Sequence, residues 1–114
     1  MNDKFVLDEK GNPRPEPDLL AWGKWYEASA NNGARRVEDE TIPGPNFGGL
    51  RMVSRVSTVF LGLDHNFAQK GPPILWETMV FGGPLNGEMD RCAGSREQAG
   101  AMHRRMVERV KAAL

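Results

Sequence analysis

The residues best suited to chemistry lie in one short segment, Asp64-His65-Asn66. A histidine held by carboxylates can act as a general base or a metal ligand. Glu77 lies in the next predicted strand, and a hairpin would bring that strand back toward His65. The same segment is typical of a turn, since short polar side chains bond to nearby backbone groups. We favour the turn and keep His65, Asp64 and Glu77 as candidate catalytic residues.

A metal at this segment is the weaker interpretation, and we expect no metal and no cofactor. The chain has only two histidines, and the second, His103, lies on a distant predicted helix. Glu77 also interrupts an otherwise apolar strand. Because a lone buried carboxylate is costly, this position predicts a carboxylate that faces solvent or pairs across strands with an arginine. The candidate partners are Arg51, Arg55 and Arg91.

Aromatic and arginine side chains offer a second kind of site. The aromatic rings could line a small-ligand pocket, in which the guanidinium groups of Arg35 and Arg36 would bind phosphate or carboxylate. Tryptophan at helical spacing is more often part of a core, so we assign Trp22 and Trp76 to the core. Trp25 stays open between core and interface and is kept as a candidate binding residue together with the two arginines.

Charge is distributed unevenly along a chain whose formal net charge is zero. Residues 1–50 hold six Lys/Arg against nine Asp/Glu, residues 51–95 hold four of each, and residues 96–114 hold five against two. The basic excess lies on the last predicted helix, opposite its apolar stripe. A solvated helix face is the simpler interpretation, and a basic docking surface is the alternative. The candidate binding residues there are Arg104, Arg105 and Arg109.

Length and composition exclude several classes of protein. The chain has 114 residues, which fits a single domain over 1–114. Zero net charge argues against a nucleic-acid-binding protein with a uniformly basic surface. Cys92 is the only cysteine, so an internal disulfide is excluded, and no histidine is placed to activate its thiol. No apolar run approaches the ~20 residues that span a bilayer, and no signal peptide is visible, so we expect a cytoplasmic protein without a membrane partner.

The pattern of elements predicts an α+β fold in the order β(β)αββββα. An antiparallel sheet of about four to six strands is expected, covered by two helices. Asp18 is the predicted N-cap of the first helix, and Ser95 with Gln98 predicts a capping box for the second. The Pro- and Gly-rich segment 43–49 predicts a mobile loop. The predicted strands cover residues 4–7, 14–17, 35–42, 50–63, 74–81 and 88–92, and the predicted helices cover 19–29 and 96–113.

Two segments carry a resemblance to a known group of proteins. The stretch Val56-Ser57-Thr58-Val59-Phe60-Leu61-Gly62-Leu63-Asp64-His65 is followed closely by Pro72-Pro73-Ile74-Leu75-Trp76-Glu77-Thr78-Met79-Val80-Phe81-Gly82-Gly83. Together they resemble small uncharacterised bacteriophage and prophage proteins with an STVFLGLDH…PPLLFETMVFGG core. The resemblance implies a phage or prophage accessory protein in a bacterial host cell and no particular chemistry.

Three functions remain open at this point. The first is a non-enzymatic accessory protein that binds a host or phage macromolecule, most often a protein, with action against a host defence system as one form of this function. The second is a small-ligand or nucleotide-sequestering protein, often a homo-oligomer. The third is a hydrolase-type enzyme using His65. We favour the first, because the chain is small, has no catalytic motif and carries an excess of large apolar residues. Nucleic acid as the partner and a homodimer stay open.

Overall fold

The computed structural model of the chain describes residues 2–68 and 70–114 and has an α+β fold, as predicted. Its four-stranded antiparallel sheet has the strand order β3-β4-β5-β6, and β1 and β2 form a separate antiparallel pair. Of the described helices, neither is long and apolar enough to cross a membrane. The elements are β1 (Phe5–Leu7), β2 (Pro13–Pro15), α1 (Leu19–Asn32), β3 (Arg36–Phe47), β4 (Leu50–Phe60), β5 (Ile74–Phe81), β6 (Met89–Ala93) and α2 (Arg96–Ala113).

Alternation along the central strands creates two different sheet faces. Even-numbered residues are buried beneath α2 from Ser54 to Phe60 in β4 and from Trp76 to Val80 in β5, and we call this side the covered face. Odd-numbered residues of the same two stretches lie on the opposite side, here the open face, where they are half-buried or exposed. The buried apolar side chains of the covered face and of α2 include Val56, Phe60, Trp76, Val80, Ala99, Met102, Met106 and Val110.

The helix boundaries follow the predicted caps. Asp18 accepts hydrogen bonds from the backbone of Leu20 and Ala21, and Ser95 forms the predicted capping box with Gln98. Helix α1 runs three residues past its predicted end and stops at Gly33, which is left-handed with φ +74°. Only glycine adopts that conformation at low cost, so the backbone of Gly33 ends the helix.

Tryptophan side chains anchor α1 to the rest of the fold. The indole Nε1 of Trp22 donates to the carbonyl oxygens of Phe5 and Gly62, at 3.1 Å each. The Trp25 ring packs edge-on against Phe60, with 5.8 Å between ring centroids. Strand β4 ends at Phe60 and not at residue 63 as predicted. Just beyond its end, Gly62 has φ +77° and lies against the Tyr26 ring.

The predicted mobile loop over residues 43–49 is wrong. Strand β3 continues to Phe47, and only Gly48 and Gly49 form the turn, both with positive φ as a type I′ hairpin turn requires. The prolines are tolerated because β3 is an edge strand and its register shifts between Pro43 and Asn46. Since β5 pairs with β4 only from Arg55 onward, the hairpin projects past the sheet. We call residues 43–53 the arm.

Candidate functional site

A chain of polar side chains lies buried between α2 and the covered face. Nδ1 of His103 is 2.7 Å from the Thr58 hydroxyl, which is 2.6 Å from the Thr78 hydroxyl. These three side chains are completely inaccessible to solvent. On its other side, Nε2 of His103 is 3.2 Å from Oε1 of Glu40 and 3.3 Å from Oε2 of Glu38. The imidazole therefore links the buried interior to two carboxylates that reach solvent.

A bulge in β3 places the two glutamates together. The register shifts between Arg36 and Glu38, which aligns Glu38 with Thr58 and Glu40 with Val56 on the covered face. Residues two apart in a strand share a face, so both carboxylates point toward α2. Three potential ligand atoms, one each from Glu38, Glu40 and His103, lie within 4.8 Å of one another.

The signal for this cluster is present in the sequence. His103 lies four residues after Ala99 and four before Val107, both buried positions on the apolar stripe of α2. Glu38 and Glu40 have the two-residue spacing of a shared strand face. The sequence interpretation set His103 aside because its helix is distant in the chain, and only the folded structure joins it to β3.

A cleft of about 470 Å³ opens beside the cluster. It lies between the turn joining β1 to β2, the bulge of β3 and the first turns of α2. Glu38 forms part of its wall, together with Lys10, Arg96 and Arg104. Solvent therefore reaches Glu38, whose side chain is 42 % exposed. The Glu40 side chain is 49 % exposed.

The predicted catalytic residues have separate structural partners. One carboxylate oxygen of Asp64 accepts from the backbone of Asn66 and Ile74, as the turn interpretation predicts. His65 Nδ1 donates to the Leu63 carbonyl at 2.8 Å. Glu77 lies on the open face and accepts from Nε of Arg91 at 2.9 Å, one of the expected cross-strand pairs. Within residues 2–68 and 70–114, no hydrogen bond or ion pair joins His65 to Glu77.

Of the predicted small-ligand residues, Arg35 and Trp25 have side-chain partners within the chain. Arg35 stacks over the Tyr26 ring at 3.9 Å, and its Nε donates to Oγ of Ser29 at 2.7 Å. Arg36 lies beside it, and its carbonyl accepts from Arg96 at 3.2 Å. The cavity that these arginines line measures about 180 Å³, and pockets that hold drug-sized ligands are usually ~300–1,000 Å³. Trp25 packs on the core through Phe60.

The predicted basic surface of α2 is exposed but contains acidic neighbours. Arg104 and Arg105 face solvent, and Arg104 shares its cleft with Glu38 and Glu97. Arg109 lies 3.8 Å from a carboxylate oxygen of Glu88. These neighbours reduce the positive charge that the helix presents to a partner.

Cys92 is a structural thiol. It lies half-buried beside the cluster around Trp76. Burial raises the pKa of the thiol above its usual value, and the nearby Asp90 carboxylate raises it further. A thiol with a raised pKa forms little thiolate at neutral pH and is a poor nucleophile.

The arm offers a free strand edge and exposed apolar side chains at the same place. Phe60 N donates to Arg35 O, and Leu61 N donates to Leu75 O, so the odd-numbered residues of β4 point their backbone groups toward the β5 side. Near the arm tip, where β5 does not reach, Arg51 therefore directs its backbone groups outward. The exposed apolar side chains of the arm are Phe47 (68 %), Leu50 (79 %), Met52 and Val53.

In comparisons with protein-family models, curated proteins and solved structures, the chain matches none of them.

Proposed function

We propose that the chain is a non-enzymatic binding protein that engages a protein partner through the arm. This proposal rests on one observation: the arm is paired with β3 on one side only, and four exposed apolar side chains lie beside its other edge, which β5 does not reach. An exposed, apolar strand edge is a template for pairing with another polypeptide. The resemblance to phage and prophage proteins implies that the partner is a host or phage protein, with a defence protein of the host as one class.

The chemistry of the arm favours an extended, apolar peptide segment as the occupant. Backbone groups around Arg51 need the backbone donors and acceptors of another strand, which a polypeptide supplies. Residues 43–53 contain a single charged residue, Arg51. A nucleic acid would need several cations for its phosphates, so a polyanion suits this surface poorly.

Photo-crosslinking at the arm tests the proposal. A photoreactive amino acid replaces Leu50 in the arm or, as the control, Leu20 on α1, which is similarly exposed at 69 %. Both variants are expressed in bacteria with and without phage infection, and crosslinked peptides are mapped by mass spectrometry. We expect one partner protein crosslinked through an extended apolar segment at position 50 only. A synthetic peptide of that segment should bind the purified chain.

Two substitutions at one position then separate backbone pairing from charge. Arg51→Pro removes the outward N–H and should weaken peptide binding at least tenfold, whereas Arg51→Ala keeps the N–H and most of the affinity. Reversing Arg104, Arg105 and Arg109 to Glu tests the predicted basic face and should leave peptide binding within about twofold. The proposal fails if position 50 crosslinks only to a second copy of the chain, if both labelled positions give the same products, or if Arg51→Pro binds normally.

A further inference from the structure

We propose that Glu38, Glu40 and His103 form a binding site for a divalent transition-metal ion of the Zn²⁺ type. The site lies between β3 and α2, away from the arm, and does not depend on the proposed protein partner. Imidazole and carboxylate together suit Zn²⁺, Mn²⁺ and related ions better than Mg²⁺ or Ca²⁺, which prefer oxygen ligands alone.

The spacing of the ligand atoms matches such an ion. Ligand bonds of ~2.0–2.2 Å in a tetrahedral site place neighbouring ligand atoms about 3.3–3.6 Å apart. His103 Nε2 lies 3.2 Å and 3.3 Å from the nearest oxygens of Glu40 and Glu38. All three atoms lie within 4.8 Å of one another, so one ion could bind them after the two carboxylates move to the tetrahedral spacing.

The His103 ring is held in an orientation that leaves Nε2 directed toward the two glutamates. Metal-binding histidines usually donate their second ring N–H to an outer partner, which fixes the ring and its tautomer. Thr58 occupies that position at 2.7 Å from Nδ1, and its hydroxyl is backed by Thr78. Because hydroxyl hydrogens rotate, Thr58 can accept from Nδ1–H while Nε2 offers its lone pair to the ion.

Glu38 and Glu40 bring two carboxylates against one imidazole. The ring offers at most one N–H at Nε2, so it donates fully to only one of Glu38 and Glu40. Among the described residues, neither glutamate forms an ion pair with a lysine or an arginine, and Arg104 in the same cleft forms none with either. A divalent ion neutralises both carboxylates at once. Their partial exposure provides the entry path and room for water in the remaining coordination positions.

Cobalt binding tests the site directly, because Co²⁺ has visible absorption bands that report its ligands. The purified chain, stripped with a chelator, is titrated with Co²⁺, and Zn²⁺ is then added as competitor. We expect saturable binding of one ion per chain, an imidazole signal of His103 that shifts or broadens in NMR spectra, and displacement by Zn²⁺.

Matched variants locate the ion. Glu38→Gln and Glu40→Gln keep the side-chain shape and should each lower Co²⁺ affinity more than about tenfold, and Thr58→Val should lower it by about 10–100-fold through the outer partner. Glu97→Gln, a carboxylate in the same cleft, should bind as the parent chain does. Circular dichroism verifies that each variant is folded. Absence of saturable binding, or equal affinity in the parent chain and both glutamine variants, overturns the proposal.

Discussion

The covered face and the open face are built from alternate residues of the same strands, yet their polar contacts differ in kind. On the covered face, Thr58, Thr78 and His103 form a continuous chain without access to water. On the open face, Glu77 with Arg91 forms an ion pair at the surface. A buried hydroxyl that loses its partner retains a full desolvation cost, whereas a surface ion pair exchanges its partner for water. Solvent access therefore decides what each polar contact contributes to stability.

The largest contrast between the faces is expected at Trp76 and Met79. Trp76→Ala should lower the free energy of unfolding by about 3–5 kcal/mol, because it opens a cavity beside Phe60 and removes the indole hydrogen bond to the Gly94 carbonyl. Met79→Ala, on the half-exposed open face, should cost clearly less. Urea unfolding monitored by circular dichroism measures both values. Equal losses would show that the open face is also buried in solution.

An intermediate effect is expected within the buried polar chain. Thr58→Val should cost about 1–3 kcal/mol, because both His103 Nδ1 and the Thr78 hydroxyl lose a partner. Thr78→Val removes a contact to Thr58 alone and should cost less. Ser57→Ala, one residue away on the open face, is the matched control and should change stability by about 0.5 kcal/mol or less. A Thr58→Val variant as stable as Ser57→Ala would contradict the arrangement.

The smallest effect is expected at the Asp39–Arg55 ion pair of the open face. The hydrogen bond from Arg55 holds the pKa of the Asp39 carboxyl below its ordinary value of 3.8. Its stabilisation is therefore present above the unfolded-state pKa and is lost as pH falls through the lower folded-state value. Because about half of the Arg55 side chain is exposed, we expect this ion pair to contribute less stability than either contact above, and salt should reduce the contribution further.

Unfolding of the parent chain and of Asp39→Asn across acidic pH measures the contribution of this ion pair to the free energy of unfolding. The difference in stability between the two should shrink as pH falls, and Arg55→Ala should reproduce it. A difference that stays constant with pH would assign the effect to packing and not to charge.

Local signals were sufficient to predict most of the elements. Caps are decided by a few neighbouring residues, so Asp18 and Ser95 located the helix starts correctly. The error over residues 43–49 arose because proline and glycine usually break strands. An edge strand does not use every backbone N–H to pair with a neighbouring strand, so it tolerates proline. Whether a strand lies at the edge depends on the whole sheet and cannot be predicted from local sequence.

The candidate site was harder to predict, because it depends on long-range register. Glu38 and Glu40 reach His103 only after a one-residue bulge in β3 and the packing of α2 over that strand. The pairing of Glu77 with Arg91 was among the predicted alternatives, since cross-strand neighbours on one face follow from alternation alone. The arm edge had no local signal, since it depends on where β5 ends.

Helix α1 is attached to the rest of the fold through few buried side chains. Among its residues only Ser29 is fully buried, and the Trp22 indole connects the helix to both β1 and the segment after β4. The Trp25 ring on Phe60 is a second attachment, and α1 takes no part in the pairing of β4 with β5. We therefore expect α1 to open as a separate cooperative unit, with its amide protons exchanging with deuterium through an opening of lower free energy than the global unfolding that governs the central strands.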